Sequence, residues 1–224
     1  MNSTAKYWYL HDHHLFDELA REAIDELAYL SHFQTSRKGA LIHLPADESR
    51  IYTIKVGIFK LVETDQEGQE QLIEILRPGD LFGQFTLNQH TSNQYTVALS
   101  DYVTFCSFAT ADMEQVMQQH PTLGIRYTKL IGLRFRRLEN LYKNLMFKDV
   151  RTRLRLFLKE WVAKEAKPDR PAVVPNYLSH KDISRLICSN RQAVTELFNE
   201  FRGTGQLAYD RNEITIIDPM LLNV

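Results

Sequence analysis

The spacing of apolar residues changes twice along the chain. Over residues 14–32, HLFDELAREAIDELAYLSH, Leu15, Leu19, Ile24, Leu27, Ala28 and Leu30 recur at helical intervals with acids on the other face. This predicts an amphipathic helix or a helix pair. From Gly39 to Phe108 the period becomes two: IYTIKVGIFKLVE and EQLIEIL alternate apolar with polar, and YTVALS and YVTFCSF add further strands. Thr64-Asp65-Gln66-Glu67-Gly68 reads as a hairpin turn, and Pro78-Gly79-Asp80 as a second turn. Short strands at this spacing predict a sandwich or barrel.

After Asp112 the helical period returns, and Pro121 sits where a helix can begin. Tyr127, Ile131, Arg134, Leu138, Leu141 and Leu145 follow one another by alternate steps of four and three, a heptad seam interrupted by one arginine. Such a seam is best buried against a second copy of itself; burial against the chain's own β domain is the competing reading. Residues 163–176, AKEAKPDRPAVVPN, carry three of the seven prolines and read as a loop or linker.

Beyond it the pattern is helix, tight turn, helix, hairpin. Ser179 and Asp182 have the Ser-x-x-Asp spacing of a capping box, with Ile183, Leu186 and Ile187 on the buried face. Ser189 or Asn190 caps the second helix, and Gln192 can reach back if Ser189 is the cap. Val194, Leu197, Phe198 and Phe201 turn inward, leaving Arg191, Gln192, Thr195, Glu196 and Asn199 outward. Gly203 and Gly205 end the helix, and two strands around Asp210-Arg211-Asn212 form a small wing. Two short helices joined by a tight turn are a helix-turn-helix, whose second helix presents side chains to the major groove. Arg191 suits a guanine and Gln192 an adenine. A generic helical hairpin is the rival.

Charge sharpens this. The net charge of −1 hides a segregation: residues 1–125 hold 8 Lys+Arg against 17 Asp+Glu, residues 126–160 hold 11 against 3, and residues 161–224 hold 8 against 8. A block this basic steers a polyanion, or else is a solvated helix face. The length of 224 residues allows two modest domains. The two cysteines, Cys106 and Cys188, lie far apart and support neither a disulfide framework nor a cysteine-rich metal site. No apolar run reaches membrane-span length, and the N-terminus lacks the form of a signal peptide, so a cytoplasmic protein with no membrane partner is expected.

Taken together, KGALIH (38–43), residues 51–83, FKDVRTRLRLFL (147–158) and ISRLICSNRQAVTELFNEFR (183–202) resemble the CRP/FNR superfamily of bacterial transcription regulators in order and spacing. The resemblance implies an α+β chain: a double-stranded β-helix (jelly-roll, cyclic-nucleotide-binding-like) sensor over 1–120, a dimerisation helix over 121–147 and a winged helix-turn-helix over 148–224. It implies double-stranded DNA with a palindromic operator and a second copy of the chain as partners, brings RNA polymerase into view as another, and implies no catalysis. Ser179, His180, Ser189, Asn190, Arg191, Gln192, Thr195, Glu196 and Asn199 become the expected DNA-binding set, with Arg191 in the place of the family's guanine-reading arginine. Gln192 replaces a glutamate and Glu196 a second arginine, so an altered operator is expected.

Members that bind cyclic AMP carry a Gly-Glu pair for the ribose and, ten residues on, an Arg-Ser pair for the phosphate. Here Gly83 is followed by Gln84 and Phe85, and the later positions are Gln94 and Tyr95, followed by Thr96. The Thr-Ser pair that meets the purine is replaced by Leu138 and Glu139; only Arg134 matches a pocket-side residue. An amide does not replace a charged bidentate grip on phosphate, so usual-mode cyclic AMP control is not expected. Alternatives are a divergent pocket for a cyclic nucleotide, or for haem or a gas through His90 or the His11, His13 and His14 cluster, and, in another class, a cupin-like ligand-binding or enzymatic module. An iron–sulfur cluster needs four cysteines, so no cofactor and no metal is assigned. Cys188, where relatives often have glycine, is read as a small buried apolar residue rather than a redox switch.

Overall fold

The computed structural model describes residues 3–44, 49–83, 93–163 and 172–224. The chain forms two compact units, Met1–Phe135 and Arg136–Val224. The first begins with α1 (Ser3–His11) and α2 (Arg21–Leu30), followed by eight strands: β1 (His32–Arg37), β2 (Leu41–His43), β3 (Arg50–Val56), β4 (Phe59–Thr64), β5 (Glu70–Leu76), β6 (Leu81–Gly83), β7 (Gln94–Ala98) and β8 (Tyr102–Ala109). They form two four-stranded sheets, β1-β8-β3-β6 and β2-β7-β4-β5, in which every pairing is antiparallel.

Period two explains the layering. On β8, Val103 and Phe105 join the core with Phe59, Leu61, Leu76 and Phe82, while Cys106 and Phe108 belong to a second core with Leu10, Leu15, Phe16, Ile24 and Leu27 of the helical layer. β8 is therefore buried on both faces, which is why YVTFCSF reads as a near-continuous apolar run. Of the helix or helix pair expected over 14–32, the structure has one helix, α2, preceded by turns, and α2 has an unforeseen neighbour, α1. Phe16 N–H donates to the His13 carbonyl and Leu19 N–H to that of Phe16, while His13 Nδ1 accepts from Leu15 N–H at 3.1 Å. These short-range bonds hold 13–19 as successive turns that bury Leu15 and Phe16.

α3 (Thr110–Gln119) leads to α4 (Pro121–Phe147), 27 residues long. The second unit contains α5 (Val150–Ala163), β9 (Val173–Pro175), α6 (His180–Leu186), α7 (Arg191–Gly203), β10 (Leu207–Tyr209) and β11 (Glu213–Ile216), ending in a 3-10 turn, Pro219–Leu222. β9 was hidden in the proline-rich segment. It pairs with β11, making the wing a three-stranded sheet ordered β10-β11-β9. Leu154, Leu158, Trp161, Ile183, Val194, Phe198, Phe201 and Ile214 are buried in this unit. Arg155 fastens the chain end, donating to the carbonyls of Met220, Leu221 and Asn223.

Candidate nucleic-acid interface and sensor pocket

The two helices of the second unit are set by caps that the sequence itself supplies. Ser179 Oγ accepts from Asp182 N–H at 3.1 Å, and the Asp182 carboxylate accepts from Ser179 N–H, completing the capping box of α6. Ser189 N–H donates to the Ser184 carbonyl at 2.7 Å and closes the turn. Asn190, not Ser189, caps α7: its Oδ1 accepts from Ala193 N–H at 2.8 Å. Gln192 accordingly does not reach back, and its amide donates forward to Glu196 at 2.9 Å.

The inward face of α7 follows the pattern, with Val194, Phe198 and Phe201 buried and Leu197 partly so. On the other face Arg191, Gln192, Glu196 and Asn199 are exposed and Thr195 is half-buried. Among the described residues no acceptor engages the Arg191 guanidinium. Thr195 Oγ1 donates to the Arg191 carbonyl, and His180 Nδ1 lies 2.9 Å from the same hydroxyl. The Asn199 side-chain oxygen accepts from Tyr209 and Arg202. Burial, and then the Arg191 charge, hold the His180 imidazole below the usual histidine range.

Cys188 is not the buried apolar residue expected. It is exposed and takes φ of 50° in the turn. That left-handed conformation, which glycine adopts without strain, fits the glycine that relatives often have there.

The basic block is partly consumed at home. Arg126 is paired with Asp17 and Glu18, Arg134 with Glu74, and Arg151 makes a two-pronged pair with Glu200 at 2.7 and 2.6 Å. The charge available to a polyanion is therefore smaller than the sequence count.

In the first unit, Gly83 closes β6 with φ of 106°, where a Cβ would strike the Arg50 carbonyl oxygen. Gln84, Phe85 and His90 lie outside the described residues. Gln94, Tyr95 and Thr96 are on β7; Tyr95 donates its hydroxyl proton to Glu70, and Thr96 is fully buried. Arg134 donates to the Leu81 carbonyl at 3.1 Å and to the Glu74 carboxylate. Glu74 was missed, although the signal existed: it shares a face of β5 with Leu76, which is fully buried, and a carboxylate so placed needs a partner.

On α4, Ile131, Leu138, Leu141 and Leu145 are 41–57% exposed, whereas Tyr127 is half-buried against the helical core. Leu138 and Glu139 are both exposed. His13 is buried, and the described residues include no cluster able to hold a metal ion.

The sequence model of the cyclic nucleotide-binding domain matches residues 33–120. Over 194 residues the chain is 25% identical to the global nitrogen regulator of Synechocystis sp., covering 85% of this chain and 86% of that protein. To the cyclic AMP receptor protein of Thermus thermophilus it is 24% identical over 213 residues, covering 93% and 94%. Residues 33–120 thus match a cyclic nucleotide-binding domain, and over most of its length the chain is similar to these regulators. The chain shares its fold with a variant of CooA from Carboxydothermus hydrogenoformans, at a TM-score of 0.70 and 21% identity over 96% of each chain. Among the described residues no helix is long and apolar enough to cross a membrane.

Proposed function

We propose that this chain is a DNA-binding transcriptional regulator of the CRP/FNR type and not an enzyme, a homodimer that reads a palindromic operator through α7 and is not controlled by cyclic AMP in the usual mode. In this reading residues 1–120 form the sensor, 121–147 the dimerisation helix and 148–224 the DNA-binding domain, working in the cytoplasm. The carrying observation is Arg191: exposed at the start of a side-chain-capped helix, with no acceptor among the described residues.

Arg191 reads guanine by two parallel donations. Gln192 and Glu196 act as a linked pair, because the amide donates to the carboxylate; a Gln192 oxygen and a Glu196 oxygen then remain to accept from base amino groups. Ser179, His180, Ser189, Asn190, Thr195 and Asn199 hold phosphates and position the helix. The apolar seam on α4 supports pairing, since exposed Ile131, Leu138, Leu141 and Leu145 call for a second copy. Two α7 helices then enter major grooves about 34 Å apart.

Gln94 and Tyr95 take the place of the phosphate grip, and Arg134 is already engaged by Glu74, which supports a pocket with no cation to spare for a cyclic phosphate. The Thermus relative is named for receiving cyclic AMP; this chain departs from that design at those positions. RNA polymerase is the further partner proposed.

Selection from a random DNA pool, with sedimentation of the bound species, tests the reading. Two inverted half-sites bound by two chains are expected. An unenriched pool, or a monomer on a single half-site, would overturn it. Leu141→Glu is expected to give monomers with weak operator affinity.

A further inference from the structure

His180 opens α6, and its ring stacks on Phe198 of α7, with centroids 4.7 Å apart and planes at 28°, and lies 5.5 Å from the Tyr209 ring of β10. Nδ1 is 2.9 Å from Thr195 Oγ1, and Thr195 Oγ1 is 2.9 Å from the Arg191 carbonyl oxygen. These contacts fix the proton. The Thr195 hydroxyl carries one hydrogen, and a carbonyl oxygen only accepts, so the hydroxyl donates to Arg191. Nδ1 must then donate to Thr195. A neutral ring protonated on Nδ1 leaves Nε2 as a bare lone pair, and Nε2 has no partner among the described residues.

A bare acceptor is the wrong group to meet a phosphate oxygen. One proton reverses this: Nε2 becomes a charged donor while the Nδ1 bond to Thr195 survives unchanged. We propose that His180 is a proton-linked phosphate contact, taking up a proton on Nε2 as DNA binds while its Nδ1–H keeps Thr195 and the first turn of α7 in place. The proposal rests on the reading of α7 as the recognition helix.

The surroundings set the direction. From α7 the ring faces the positive Arg191, the Thr195 hydroxyl and the apolar Phe198; from β10 it faces Tyr209, whose phenol donates to Asn199 and whose ring carries Arg202 above it. On its own helix, Asp182 is committed to the Ser179 cap. Burial and Arg191 keep the imidazole neutral in the free protein at neutral pH. A phosphate opposite Nε2 supplies the counter-charge, so the DNA-bound form holds the proton to higher pH than the free form. Binding then consumes a proton, and affinity rises as pH falls through the window between the two.

Affinity for the selected operator, measured between about pH 7.5 and 5.5, is the test, together with 15N spectra of the imidazole in the full-length protein. His180→Asn places an amide donor where Nδ1 stands and removes Nε2; His180→Gln serves as a second uncharged variant. The wild type is expected to tighten about tenfold more over that range than either variant. The spectra are expected to show a Nδ1–H ring in the free protein and a higher pKa on DNA. Parallel pH profiles, or a free protein with its proton on Nε2, would overturn the proposal while leaving operator binding intact. A wild type that never prefers the selected operator, at any pH, would sink the recognition-helix reading and this proposal with it.

Discussion

Each end of this regulator carries an arginine where the family places function, and the two are differently disposed. Arg191 stands exposed at the head of α7, held by caps and hydrogen bonds that leave its guanidinium untouched among the described residues. Arg134 on α4 has spent its donors on the Glu74 carboxylate and the Leu81 carbonyl. A guanidinium held by an internal carboxylate is already neutralised, so an anionic ligand must displace Glu74 before gaining the contact. A guanidinium without an internal partner exchanges only water for its target. The difference is what the proposed function rests on: a DNA surface with an unengaged guanidinium, and a pocket-side arginine already held by a carboxylate.

The contrast is broken most severely from inside the second unit. Phe198 is 1% exposed and supports both the α7 core and the His180 ring. Phe198→Ala is expected to cost about 3–5 kcal/mol in that unit and to abolish operator binding, read by chemical denaturation and gel shift, while the near-ultraviolet signature of the β domain persists.

The first unit has its own point of weakness, of opposite kind. Burial, followed by the neighbouring His14 charge, holds His13 down at about 4, against about 6.5 in an unfolded chain. Between those values the unfolded chain binds the extra proton. Stability is thus complete above about pH 6.5, declines as the pH falls toward about 4 and levels off below, a loss of about 3 kcal/mol. His13→Asn, which retains an acceptor for Leu15 N–H, is expected to flatten that slope in urea unfolding curves; an unchanged slope would assign the acid sensitivity elsewhere.

Arg191→Ala tests the DNA side of the comparison. It is expected to cost about 1–3 kcal/mol of specific affinity and to relax the choice of one base pair, with folding stability unchanged. Glu74→Gln tests the other side with the smallest effect. The Arg134–Glu74 pair is partly exposed, with side chains at 38% and 30%, so its loss is expected to shift stability by less than about 1 kcal/mol. Calorimetry on that variant is expected still to show no tight cyclic AMP binding, because Gln94 supplies no charge for the phosphate.

What could be read from the sequence divides along physical lines. Periodicity exposed β3, β4, β5, β7 and β8, and Pro121 with the heptad steps marked the start and the seam of α4, because long, regularly patterned segments declare their faces. The cap at Ser179 was legible because its partner lies three residues away, whereas the same spacing left Ser189 and Asn190 both open at the start of α7. β1, β2, β6 and β9 were harder: three residues of β2, β6 and β9 carry too few alternations, β1 (HFQTSR) has a single large apolar residue, Phe33, and β9 is a strand only because β11 lies beside it. Arg134–Glu74 bridges 60 residues: the spacing of Glu74 from Leu76 signals that the carboxylate needs a partner, but no local spacing says which. The His180–Thr195 bond spans the turn between two helices, so His180 was legible as a surface candidate but its tautomer was not. Cys188 misled because its burial was inferred from residue type, whereas its φ of 50° is set by the turn.

Operator affinity measured across a titration of cyclic AMP tests the central claim most directly. A flat response, with tight operator binding already present in the nucleotide-free protein, is the predicted result. Tightening by about tenfold or more on saturation with cyclic AMP, the size of an ordinary allosteric coupling, would contradict it.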